Sequence, residues 1–192
     1  ASARAKMQKT MALQSNMAIG GASGMAAGAG ALALGGRMAS AGVDFGEQMS
    51  AVGAVARLDQ TSEALAQMRQ QAQELGATTS YSASEAAGGM QFLAMAGFKA
   101  NEIMQAMPGT LNLAKAGATG LADASDIASN ILSGFGKNAS EMDRVGDILT
   151  ATFTRSNVNL SMLGETMKYT APVATKFGSS IEEVAAMSGL LG

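Results

Sequence analysis

The sequence contains no cysteine, no histidine and no tryptophan. Without thiols there is no disulfide and no thiolate nucleophile, which fits a cytosolic origin. Without histidine the commonest general base and the commonest transition-metal ligand are both missing. Proline occurs twice, and aromatic residues make up 4% of the 192 positions. A core must therefore be built from small residues and methionine, and the 15 methionines point to soft, adaptable packing. Charge of neither sign dominates: the net charge is −2 and the pI is near 5.1. Lys and Arg are scattered, so there is no clustered basic face and no direct nucleic-acid binding is predicted. Valine is sparse and no period-2 alternation is sustained, so no sheet is expected.

What the sequence has in quantity is Ala and Gly. Positions 10–36 form an unbroken run without a charge. Gly20, Gly24 and Gly28 recur there at i, i+4 and i+8, a stripe of small residues on one helical face. The stripe predicts close self-association with sister copies or neighbouring helices. A second reading is membrane insertion, since about 20 apolar residues span a bilayer; a third is disorder. Gln14, Ser15, Asn16 and Ser23 weigh against the membrane reading. A basic start followed by an apolar run also imitates a signal peptide, a reading we set aside. The chain opens without Met and stops at Leu-Leu-Gly with no closing cap, and we read it as a piece of a longer one. We divide it into a Gly/Ala-rich segment, 1–42, and a helical region, 43–192.

The helical region is organised around 82–114. Ser82 with Glu85 three residues on reads as a capping box. Ala86, Met90, Leu93 and Ala96 follow at helical spacing, Gly97 supplies a stop, and Ile103, Met107, Leu111 and Ala114 stripe the next helix. Earlier, Thr61 or Ser62 caps a helix striped by Leu65, Met68, Ala72 and Leu75 and ended by Gly76. The 82–114 pattern returns over 126–153, with Ser140 as the cap, and over 160–191, with Ser179 or Ser180 as the cap. Phe98, Phe135 and Phe177, unevenly spaced, read as anchors of a degenerate helical-hairpin repeat. Pro108-Gly109 predicts a kink or a restarted helix, and Pro172 a kink. The fold class is all-α: a long N-terminal helix, then short helical hairpins, with no sheet.

No catalytic, cofactor or metal site emerges. Asp123 with Asp126, and Asp143 with Asp147, have helical spacing but nothing to hold them in a cleft and split their pKa values. They read as solvated faces. Glu182 and Glu183 favour a helix dipole. Lys99, Lys137 and Lys168 lie near serines without a nucleophile frame. The Gly-rich run lacks the lysine and the preceding strand of a phosphate loop.

Ordered stretches carry a family likeness over about three quarters of the chain. They are FGEQMSAVGAVARLD, MRQQAQELGATTSYSASEAA, FLAMAGFKANEIMQAMPGTLNLAKA, GFGKNASEMDRVGDILTATF and MKYTAPVATKFGSSIEEVAAMSGLLG. Together they resemble the tape measure proteins of bacteriophage tails and related contractile particles. The resemblance implies a long helical structural protein, not an enzyme, that lies in the tail tube lumen of the virion. It implies that chain length sets tube length in the host cytoplasm during assembly and that the protein leaves ahead of the DNA. It also implies a homo-oligomer, most simply a trimer, and contacts with the tail tube protein, tail tip or baseplate hub proteins and tail assembly chaperones. The alternative is a membrane-active helical protein whose Gly-rich segment forms a channel in the host envelope.

Overall fold

Helices are the only regular elements among the described residues, 44–191, of this computed structural model. There are eight α-helices in that range: α1 (44–55), α2 (Glu63–Thr78), α3 (Ala83–Met95), α4 (Ala100–Ala116), α5 (Leu121–Gly134), α6 (Met142–Phe153), α7 (Leu160–Lys176) and α8 (Ile181–Leu191). A 3₁₀ turn, Ala139–Glu141, leads into α6. The all-α reading holds. The expected long N-terminal helix falls mostly on 1–43, outside the described residues, and α1 stops at 55.

Helix starts follow the cap chemistry. Ser82 Oγ accepts from the Glu85 N–H at 3.2 Å while the Glu85 carboxylate accepts from the Ser82 N–H at 2.7 Å, the full capping box. Ser180 and Glu183 repeat it at 3.2 and 3.0 Å. Ser62 caps α2 and Asn159 caps α7. Ser140 is not a cap: Asn138 precedes the 3₁₀ turn, and the Ser140 hydroxyl donates to the Asn138 side chain.

Five helix ends share one device. After α1, α3, α5 and α7 the chain places Arg57, Gly97, Gly136 and Gly178 at positive φ. Each time, two successive N–H groups reach back to the last free carbonyls, as in Phe98 to Leu93 and Gly97 to Ala94. This is the Schellman arrangement, which favours Gly because a Cβ is strained there. Ala118 ends α4 the same way, at φ 48°. Ala118→Gly should therefore raise stability, by about 0.5 kcal/mol once the extra freedom of the unfolded chain is offset; a urea titration would show it as a higher midpoint at unchanged slope.

The odd-numbered helices from α3 on start at positions 83, 121 and 160, a nearly constant interval. The chain is thus a regular stack of helix pairs. Odd helices form one row, α3 on α5 and α5 on α7; even helices form the other, α2 on α4, α4 on α6 and α6 on α8. Small residues set the spacing, because a stack through Ala, Ser and Gly brings backbones close. Methionine fills what remains: Met49, Met68, Met90, Met107, Met142 and Met167 are buried. The buried hydroxyls of Thr110, Ser125 and Ser129 donate to carbonyls in their own helices, so their burial leaves no donor unmatched.

Pro108 does not restart a helix; α4 runs through it. Proline removes the N–H that would bond the Met104 carbonyl. Gln71 of α2 fills the vacancy, its Nε2 donating to that oxygen at 2.9 Å. Gln71→Leu should therefore cost about 1–3 kcal/mol by leaving the carbonyl unmatched, and the loss should vanish when Pro108→Ala is combined with it. Equal losses in the two backgrounds would contradict this. Gly76 is likewise no terminator. It lies inside α2, where a Cβ would meet the Ala83 backbone nitrogen at 2.5 Å.

Candidate interaction surface

Three of the turns that join odd helices to the even ones that follow share a sequence. Gly97-Phe98-Lys99-Ala100-Asn101-Glu102, Gly136-Lys137-Asn138-Ala139-Ser140-Glu141 and Gly178-Ser179-Ser180-Ile181-Glu182-Glu183 all read Gly-x-x-(Ala/Ile)-x-Glu. Glycine turns the chain, the apolar residue is buried, and the glutamates of the first and third cap the next helix. This signature, not the phenylalanines, marks the period. Phe98 follows its glycine and is half-buried, whereas Phe135 and Phe177 precede theirs. Phe135 is buried, and Phe177 is 83% exposed. Gly20, Gly24 and Gly28 lie outside the described residues.

Glycines at the stacking contacts are the second feature. A Cβ on Gly89 of α3 would lie 2.9 Å from Ser125 Oγ of α5. A Cβ on Gly134 of α5 would lie 2.8 Å from Ala171 Cβ of α7, and one on Gly164 of α7 2.8 Å from the Ile127 side chain of α5. In the even row, Gly109 faces Asp143 and Met142, and Gly189 faces Thr152. Helix-interior glycine costs up to about 1 kcal/mol against Ala, and here close approach of the helices requires it.

The ion pairs among the described residues lie on the rim. Lys137 Nζ lies 3.5 Å from the Glu141 carboxylate, which Arg144 also reaches at 3.2 Å, and Arg144 bonds onward to Glu182 of α8. These exposed pairs are worth little in stability; of the three, Arg144–Glu182 links α6 to α8. The Glu182 carboxyl is held below the usual range by its own backbone N–H and then by Arg144; Glu85 is held down by the Ser82 N–H and then its hydroxyl. A lowered folded-state value means stabilisation that is complete above the ordinary glutamate range and lost as pH falls through the lowered values. Acid titration of thermal stability should show this loss, and Glu85→Gln should blunt it. Asp123, Asp126, Asp143 and Asp147 form no metal cluster; among the described residues no group of three or more acidic residues does.

The third feature is an apolar groove between α7 and α8. Met162, Tyr169 and Val173 line it from α7, and Met187 and Leu191 from α8. They are 50–87% exposed. No charged residue lines the groove. Three of its hydroxyls are already satisfied: Thr166 donates to the Met162 carbonyl and Thr170 to that of Thr166, both at 2.9 Å, and Ser188 to that of Val184 at 2.8 Å. They therefore offer methyl and methylene surface at little desolvation cost. An exposed apolar patch of this kind marks a contact surface. The sequence does not set this face apart from the methionine-filled core. The signal that could have found it is the double stripe of α7. Leu163, Gly164, Met167 and Ala171 are buried on one side, and Met162, Thr166, Tyr169 and Val173 lie about half a helical turn away. No described helix is long and apolar enough to cross a membrane.

Residues 69–192 match the family model of the phage-related minor tail proteins. The chain is 44% identical over 150 residues to the tape measure protein of Pneumococcus phage Dp-1, covering 78% of this chain and 13% of that protein. It is 33% identical over 179 residues to the probable tape measure protein of Escherichia phage P2, covering 93% of this chain and 22% of that protein. The chain thus spans between about an eighth and a fifth of these curated relatives' length. No solved structure matches it. The chain belongs to the phage minor tail protein family, the family of the tape measure proteins.

Proposed function

We propose that the chain is a region of a structural protein that sets tail tube length during assembly, occupies the tube lumen and is released ahead of the DNA at infection. The observation that carries this is its similarity to two tape measure proteins, which together match nearly the whole chain. Where the full-length protein runs as continuous helix, a fixed rise per residue turns chain length into distance. Its partners on this reading are copies of itself, most simply in a trimer, the tail tube protein, tip or baseplate hub proteins and assembly chaperones. The Gly/Ala-rich run supplies close contacts between copies through Gly20, Gly24 and Gly28. The absence of disulfides and the methionine-filled core favour easy unfolding on release through a narrow tube.

The test is tail length by electron microscopy after an in-frame deletion in the full-length protein, outside this region. Removing about 40 helical residues should shorten tails by about 60 Å. Tails of normal length would overturn the ruler reading.

A further inference from the structure

We propose that the open face of α7 and α8 receives a fifth helix pair of the same polypeptide, stacked in register on the four described. The register of the repeats carries the argument. Position for position, Ile127 and Gly134 of α5 correspond to Thr166 and Val173 of α7, one repeat further on. Ile127 and Gly134 are where α7 rests on α5, through Gly164 and Ala171. One repeat earlier, Gly89 of α3 occupies the place of Ile127, and α5 rests on it through Ser125 and Leu121. Ser125 and Gly164 are themselves equivalent, each the fifth residue of its helix. The same outward position therefore meets the same small inward residue at two successive contacts. Thr166 and Val173 continue the outward series, and within 44–191 nothing covers them.

The register also describes the occupant. It is a helix pair begun one repeat after Leu160, with Gly, Ala or Ser fifth in its first helix. A second copy of this chain docked α7 on α7 would press Met162, Tyr169 and Val173 against their own equivalents, large on large. At the Gly89, Gly134 and Gly164 contacts of the odd row, by contrast, a glycine faces its neighbour. Polypeptides of this family have the length for further pairs, since the matched stretch is 13% and 22% of the two relatives. A stack of repeats buries a continuous core only when each pair is covered by the next. The inference rests on the register and is independent of the ruler reading.

The experiment compares two chains, the present chain and the same chain carried on through the next repeat of the full-length polypeptide. Each is made with and without Tyr169→Glu plus Val173→Glu. In the shorter chain both side chains are exposed, at 70% and 55%, and the pair should move the melting temperature by no more than about 2 °C. In the longer chain the pair would bury unpaired carboxylates and should lower it by roughly 10 °C. A pair equally silent in both chains would overturn the proposal. So would a shorter chain that sediments as a dimer which the pair dissolves, since the occupant would then be a second copy.

Discussion

Duplicating one helix pair, residues 121–159, within the full-length protein should lengthen tails by no more than about 10 Å, since packed helices lie roughly 8–10 Å apart. A stacked pair adds only one helix diameter to each row. The same segment drawn out as one continuous helix would add about 58 Å. The two states differ about sixfold in the length they contribute, and electron microscopy of tails separates them. The contacts favour the stack. The outward positions Gly89, Ile127 and Gly134 each meet a small residue of the next odd helix, and a drawn-out helix would expose Met90, Met107 and Leu132, all fully buried now. An increase of the larger size would mean that the stack opens in the tube. Tails of normal length after the deletion elsewhere would remove the ruler role altogether.

Gly134→Leu should be the most damaging single substitution in the odd row. The Cβ alone would lie 2.8 Å from Ala171 Cβ, a contact neither residue can relieve by changing rotamer. Both atoms are fixed to helical backbone, so α5 and α7 must separate. Gly134 itself is partly exposed at the end of α5, so the loss comes from the Cβ contact with the fully buried Ala171. The expected loss is about 3 kcal/mol, or roughly 6–12 °C in melting temperature for a chain of this size. Gly46→Ala is the matched control. Gly46 is helical and exposed, with nothing within 4 Å of a built Cβ, and that change should be neutral or stabilising by up to about 1 kcal/mol. Equal melting temperatures for the two variants would show that the glycines mark propensity and not contact.

Much of the local structure was legible in the residues. Ser62, Ser82 with Glu85, and Ser180 with Glu183 start helices because their side chains match free backbone donors, a requirement no tertiary contact alters. The stripe Ile103, Met107, Leu111 and Ala114 is buried as its spacing requires. The period was blurred because the phenylalanines sit on different sides of their glycines; the glycines at 97, 136 and 178 and the helix starts give it directly. Helix-interior glycines such as Gly76 read as stops in sequence because their low propensity is local. Their close approach to a neighbouring helix is not. Pro108 misled for the same reason, since its missing hydrogen bond is supplied by Gln71, two helices earlier in the chain. The open face of α7 was hidden because a helix with two apolar sides reads as a core helix until one side is found uncovered.

The stack in register is the central claim, and an engineered disulfide tests it most directly. The chain has no cysteine of its own. A Cβ built on Gly146 of α6 lies 3.8 Å from Leu113 Cβ of α4, the typical separation in a disulfide. In one continuous helix the same residues would be about 50 Å apart. With Leu113→Cys and Gly146→Cys, mild oxidation should give a monomer carrying one internal crosslink, seen as a faster-migrating band that reductant removes. Thiols that stay free, or that link only between chains, would contradict the stack.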